Sequence, residues 1–577
     1  MSPAPHRLVL IVRLLFVLGF PCVPGLAATR PAATTRPLSE QRRAFQAQEL
    51  IPAAPPSFVF NAGSPPRIVW RDLEEVTRLG VPGPLRVRWF DADLNEIAMP
   101  QPPGRWGAFI EGTAPNTTPL RRALTFYCRH PGFFIYTPKV PGPIPYQPGP
   151  IAEQVWREHQ DELQGSFEGM LLHSLSSTEA GAVLIAGLAE SKPAGRPPLS
   201  IDRAAVRNDD YHLALKLKVL GLREKVRPLA PPRKRTGPPA PVLHEGSAEE
   251  AGMRPDAKAK IDFLCRAWAE ESGEPFVTLV ARHGVVVTHE AFGRDFLAQP
   301  ITRDYRADVA SITKTVTATL FSQFLEQGLI RLDDSLATVL PDYPKNDPHV
   351  PTFRQCLTHT SGLSGHGDFG GVRNPHLDNI ILNAIDTNEP AKAYLYTGMG
   401  FDLVAEAMEI VTGKSALRLF YDHLFQPLQM GDVPMDNASS GAQFTAWQLG
   451  ILAQYLANRG SYGGLEFVSP ETFETLLPEP LGDRYLGIKE VEGIGMHWMK
   501  HPKPAASTTR PQELILSPRT IGHGSLSSSM FLIDLERDLV IVQIRRTAGE
   551  KFADFSPRFL QLVSDSVVPT DSAGASN

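Results

Sequence analysis

Cysteine, charge of one sign and long apolar runs are all scarce in this chain, and each scarcity excludes something. Four cysteines in 577 residues are too few for a disulfide-framed fold. Beyond Cys22 they number three, Cys128, Cys265 and Cys356. An odd count reads as buried reduced thiols, not as a disulfide or a nucleophile. No cysteine pair or histidine–glutamate pair has metal-site spacing, so no metal is expected, and no organic cofactor is expected either. A formal net charge of −5 and a pI near 6.4 leave no electrostatic case for nucleic acid. A Gly-x-Ser-x-Gly elbow is missing as well, which argues against an α/β-hydrolase with a Ser-His-Asp triad.

Only one apolar run approaches membrane length, at the N-terminus. His6 and Arg7 precede Leu8 to Val12, Arg13 interrupts, Leu14 to Phe20 resume, and small residues follow around Gly25 to Ala28. The pattern is that of a cleaved signal peptide over residues 1–27, too short and charge-broken for a membrane anchor. The expected location is secreted or periplasmic, with no stable membrane insertion.

Proline, by contrast, is abundant: 54 residues, enough to punctuate several segments. Residues 28–56, rich in Pro, Ala and Thr, read as a flexible lead-in. Residues 57–137 are expected to be β-rich, with period-two alternation in Leu85-Arg86-Val87-Arg88-Trp89 and a second strand at Leu124 to Tyr127. Residues 138–225 combine a Pro-rich joint with a helical segment. The proline- and base-rich stretch 226–243 reads as a solvated linker. A larger domain fills 244–565, and 566–577 read as a disordered tail.

The chemistry concentrates in that larger domain. Ser311 and Lys314 stand three residues apart at the head of a helix-like run through Leu325, with Gly328 as a natural stop. A serine hydroxyl becomes a nucleophile only when an adjacent base takes its proton, and the spacing puts Lys314 on the same face. A helix N-terminus also favours negative charge developing at that serine. Upstream, Phe276 to Ala281 and Val285 to Thr288 flank Arg282-His283-Gly284 as a hairpin. Downstream, Met530 to Ile533 and Leu539 to Val542 form another.

Three further stretches follow Ser311 in order: Leu357-Thr358-His359-Thr360-Ser361-Gly362-Leu363, then Tyr394 to Phe401, then Gly522-His523-Gly524-Ser525. With Ser311 and Lys314 they resemble the serine hydrolases related to class C β-lactamases and penicillin-binding proteins, over about residues 245–555. The resemblance implies an α/β (α+β) transpeptidase-like fold: an antiparallel sheet flanked by helices, with a helical subdomain, preceded here by the smaller β-rich and helical region. It implies that Tyr396 relays a proton between Ser311 and Lys314, with the lysine cation favouring its phenolate. It places His523 against the substrate or the tyrosine, and it makes the backbone N–H of Leu526, or alternatively Ser525, the second oxyanion donor beside that of Ser311. His359 to Leu363 matches a loop that is mainly structural. His366 and Asp368 lie nearby, but their spacing does not demand a triad.

Two positions depart from the family pattern. Gly398 stands where relatives carry an asparagine whose amide is expected to orient the lysine and bind a substrate amide. Ser525 stands where a glycine is expected. The expected activity is acyl-enzyme hydrolysis of a small-molecule ester. A cell-envelope D-amino-acid peptide or a β-lactam is the alternative substrate, and a non-catalytic binding or scaffold member the alternative class. Substrate identity, oligomeric state and the role of residues 57–225 are not readable from the sequence.

Overall fold

The computed structural model describes residues 48–52, 59–61, 68–72, 86–98, 104–112, 120–129, 150–174, 211–341, 343–364, 385–386, 389–435, 437–503 and 513–569. The expected signal segment, most of the lead-in, His366, Asp368 and residues 570–577 lie outside them. Among the described residues, no helix is long and apolar enough to cross a membrane, and no cluster of histidine, cysteine and acidic side chains could hold a metal ion.

The large domain is built on a seven-stranded sheet. Its strands are β1 (His244–Glu245), β2 (Phe276–Arg282), β3 (Val285–Phe292), β4 (His497–Trp498), β5 (Thr520–Gly522), β6 (Met530–Asp534) and β7 (Leu539–Arg545), in the spatial order β4-β5-β6-β7-β2-β3-β1. Both expected hairpins are present, β2–β3 and β6–β7. The sheet differs from the purely antiparallel expectation at one edge, where β1 runs parallel to β3.

Period two explains the packing. Phe276 and Val280 of β2, Leu532 of β6 and Ile541 of β7 share one core with Trp268, Phe555 and Phe559. These last three lie on helices α1 (Ala257–Ser272) and α5 (Phe552–Ser566). Val277 and Leu279, Phe531 and Ile533, and Val540 and Val542 point the other way, into a larger core. That core includes helices α2 (Thr313–Glu326), α3 (Met399–Thr412) and α4 (Ala446–Ala457). Covered on both faces, β2 and β7 are buried along their whole length, which is why they read as nearly continuous apolar runs.

Upstream lies a five-stranded sheet in the order Val59–Asn61, Leu120–Arg129, Gly104–Gly112, Arg86–Phe90, Glu96–Ile97. The helix Tyr211–Val219 serves two cores at once. Tyr211 and Leu215 pack with Phe90 and Phe109 of that sheet. Leu213 and Leu217 enter the core of the large domain. Each pair is four residues apart and so lies on one helical face.

The stretch expected as a solvated linker is instead a docked strap. Arg233–Lys234 pairs antiparallel with Leu465–Glu466, and the N–H groups of Arg235 and Ala240 donate to Gly464 and Gly463 at 2.9 and 2.8 Å. Arg233 pairs with Glu326 and Glu466 at 2.7 and 2.8 Å, while Leu229 and Leu243 are buried. Arg227 donates to the Leu329 carbonyl and Arg235 to the Pro238 carbonyl and Ser461 Oγ, and the strap's prolines suit an extended edge strand. At the other end, Val567 and Val568 still pair with Met253 and Gly252 beyond the expected start of the tail.

Candidate active site

Ser311 sits in the short 3₁₀ turn Ala310–Ile312, which runs directly into α2. The preceding Ala310 has φ 46°, a left-handed conformation costly for a residue with a Cβ and typical of functional turns. It is held by an N–H bond to Asp308 Oδ1 at 2.5 Å. Lys314, one turn along, points its amine at Ser311 Oγ, 3.2 Å away, and donates also to the Ser439 carbonyl at 2.9 Å. The helix ends at Glu326, two residues before Gly328.

The amine lies 4.8 Å from the centre of the Tyr396 ring, and the Ser311 hydroxyl beside Tyr396 works to lower that tyrosine's pKa. Ser311, Lys314 and Tyr396 are thus brought together, as the spacing and the resemblance imply. Burial pulls the lysine pKa down to about 8, against the opposing charges of Asp402 and Glu492. Although Tyr396 is 43% exposed as a residue, desolvation pushes its pKa up to about 12, and the Glu492 charge adds to the rise. The lysine does not offset these effects, so Tyr396 holds its proton at neutral pH instead of resting as a phenolate.

Behind Tyr396 stands His359, with ring centres 4.3 Å apart. Its Nδ1 accepts the Thr397 N–H at 3.2 Å, and its carbonyl accepts the Leu395 N–H at 2.8 Å. The loop expected to be mainly structural therefore clamps both neighbours of the tyrosine. His359 is fully enclosed, and burial with the Lys314 charge beside it keeps the ring neutral.

His523 follows β5, where the resemblance puts it, but it is only 2% exposed. Its Nδ1 donates to the Gly524 carbonyl at 2.7 Å, so in the neutral ring Nε2 is the acceptor, and that atom is covered and without a partner. The ring lies 4.5 Å from His497 and 6.2 Å from Tyr396, centre to centre. It is therefore a buried neighbour of the tyrosine, not an open substrate contact. Ser525 is also buried. Its hydroxyl donates to the Val309 carbonyl at 2.9 Å, which ties the loop 523–529 to the backbone two residues before Ser311. The Leu526 side chain projects outward, 85% exposed.

With this geometry described, comparison with known proteins decides the family. The Beta-lactamase family model matches residues 270–561, just over half of the chain. The chain belongs to the beta-lactamase family. Among curated relatives, the D-alanyl-D-alanine-carboxypeptidase/endopeptidase AmpH of Escherichia coli (strain K12) is 28% identical over 143 residues, 22% of this chain and 35% of AmpH. The lovastatin esterase of Penicillium rubens is 25% identical over 209 residues, 29% of this chain and 52% of the esterase. The chain thus spans between about a third and a half of the length of these relatives. A solved family VIII carboxylesterase covers 55% of this chain and 98% of its own, at 17% identity and a TM-score of 0.42.

Several groups of this beta-lactamase-family site carry no local sequence signal. Asp402, on the first turn of α3, is buried facing Lys314, and burial raises its pKa to about 8 against the pull of that lysine. Glu492 is buried, accepts the Tyr394 hydroxyl at 2.7 Å and lies 2.9 Å from His497 Nε2. Cys265 and Cys356 are free and buried, as expected, and burial raises both thiols, the first to about 12. The side chain of Cys128 lies outside the described residues.

Proposed function

We propose that this chain is a serine hydrolase that forms an acyl-enzyme on Ser311, with a carboxylic ester as its preferred substrate. The observation that carries the reading is the placement of the Lys314 amine 3.2 Å from Ser311 Oγ and 4.8 Å from the centre of the Tyr396 ring. A lysine titrating near 8 is about one-tenth neutral at pH 7, enough to act as the base. Lys314 takes the Ser311 proton, directly or through Tyr396, as the oxygen attacks the carbonyl carbon. Tyr396, protonated at neutral pH, returns a proton to the departing alkoxide. The N–H groups of Ser311 and of Leu526 or Ser525 hold the oxyanion. Water then attacks the acyl-enzyme by the same proton path and releases the acid.

Esterase and peptidase relatives both exist, in the names of lovastatin esterase and AmpH. Gly398, which offers no side-chain amide, favours the ester. The deciding experiment is labelling of the full chain with a fluorophosphonate, followed by mass spectrometry of the modified peptide. Attachment at Ser311, lost in Ser311→Ala, is the expected result. An unlabelled Ser311 would sink the enzyme reading and leave the fold as a binding or scaffold module.

A further inference from the structure

The amine of Lys314 has two acceptors drawn from different parts of the chain, Ser311 Oγ at 3.2 Å and the Ser439 carbonyl at 2.9 Å. The second belongs to a loop with little freedom. Asn437 Oδ1 accepts both the N–H and the hydroxyl of Ser439, at 2.7 and 2.6 Å. Thr317 of α2 donates its hydroxyl to the Ala438 carbonyl at 2.6 Å, and the Asp402 carboxylate accepts a backbone hydrogen bond from Ala438. Asn437 and Ser439 are each 2% exposed.

Gly398 completes the arrangement. A Cβ at that position would lie 2.3 Å from Ser439 Oγ and 3.0 Å from Ser439 Cβ. Real Cβ atoms do not approach so closely, so the serine side chain occupies the space a residue at 398 would need. Ser439 is bonded to Asn437 at both its N–H and its hydroxyl, so displacing its side chain breaks the hydroxyl bond and loosens the residue whose own carbonyl is the acceptor for Lys314.

We propose that Asn437 and Ser439 form the positioning unit for Lys314, and that Ser439 can serve this role only because residue 398 is glycine. Neither residue touches the reacting atoms; they act through the lysine. The inference rests on the reading of Ser311 and Lys314 as nucleophile and base. Misplacing a proton-transfer group by about 1 Å can cost about a hundredfold in rate.

The test is a cycle on the full chain: Gly398→Asn, Ser439→Gly, and the two combined. It is read as the second-order rate of fluorophosphonate labelling at Ser311, and as kcat and KM for p-nitrophenyl acetate. Gly398→Asn should slow labelling about a hundredfold, because it drives Ser439 off its site. Ser439→Gly should slow it about tenfold, by removing the hydroxyl anchor to Asn437 and so loosening the residue whose carbonyl holds Lys314. The double variant should be at least about tenfold faster than Gly398→Asn alone, since neighbouring sites sharing one space are not additive. The losses should fall on kcat, with KM within about twofold, because the lysine moves a proton and does not hold substrate. Ser439→Ala and Asn437→Ala, both small-residue replacements, give the same readout if Gly398→Asn does not fold. Wild-type labelling rates in Ser439→Gly and Asn437→Ala, or multiplicative losses in the double variant, would overturn the proposal alone. An unlabelled wild-type Ser311 would overturn the nucleophile reading, and this inference with it.

Discussion

Lys216, on the helix Tyr211–Val219, is ion-paired with Glu406 of α3, and both side chains are buried. The pair joins the upstream region to the helix whose first turn carries Asp402, which faces Lys314. Removing one partner of a buried ion pair costs about 3–5 kcal/mol, whereas replacing both with apolar groups is often close to neutral. Lys216→Met should therefore lower stability by about that amount in urea denaturation, and Lys216→Met with Glu406→Leu should recover most of it. The same helix gives Leu213 and Leu217 to the core. A fragment starting near Pro241 should consequently aggregate or melt well below the full chain. A fragment that melted like the full chain would show the upstream region to be dispensable.

Proton transfer should leave its mark in the pH profile. The Lys314 pKa is lowered to about 8 by burial, so its base form grows as pH rises and saturates above that value. Asp402, itself raised to about 8 by burial, and Glu492 are the acidic groups that face it, and the neutral His359 and His523 flank it. For a neutral ester, kcat/KM should climb by about tenfold per pH unit below 8 and then level off. Tyr396, raised to about 12, adds no inflection near neutrality. Tyr396→Phe should cost about 10²–10⁴-fold in kcat, and Lys314→Ala a similar amount. An acid limb near pH 6 in place of 8 would assign the base to some other group.

His359 offers a test of positioning apart from chemistry. Its ring backs Tyr396 at 4.3 Å and its Nδ1 takes the Thr397 N–H. His359→Phe keeps the ring and removes the acceptor. His359→Ala removes both and leaves a cavity. Both should lower kcat more than they change KM, with His359→Ala the worse by about tenfold, because Tyr396 then loses its backing. Equal kinetics for the two would mean that the ring does not position the tyrosine.

Legibility from sequence followed range. The hairpins β2–β3 and β6–β7 were readable because short apolar runs flank a turn, Arg282-His283-Gly284 in one and Asp534 to Asp538 in the other. Ser311 and Lys314 were readable because three residues on a helix bring side chains together. Tyr396 was readable only by resemblance, and the burial that raises its pKa comes from residues distant in sequence. His359, Asp402, Asn437 and Ser439 reach the site from other elements by packing, and no local spacing announces that. The strap at 226–243 was misread for a related reason: Glu326 and Glu466, the partners of Arg233, lie 93 and 233 residues away.

Ester turnover should exceed β-lactam turnover. In either reaction Tyr396 must give a proton to the leaving group, and a tyrosine held at about 12 is a weak acid. An alkoxide or aryloxide departs with less help than an amide nitrogen, so a weak acid penalises the lactam more. Recognition adds to the difference. Position 398 offers no side chain, and the space beside it is taken by Ser439, whose hydroxyl is already committed to Asn437. A substrate amide desolvated there without a partner forfeits about 1–3 kcal/mol, or about one to two powers of ten in rate. We therefore expect kcat/KM for p-nitrophenyl acetate to exceed that for a chromogenic cephalosporin by more than about a hundredfold. Gly398→Asn alone should not close the gap, because the new side chain collides with Ser439. Gly398→Asn combined with Ser439→Gly should narrow it by raising the lactam rate. Efficient cephalosporin hydrolysis by the unaltered chain would reverse the preference and make the lactam, or the D-amino-acid peptide it resembles, the better substrate.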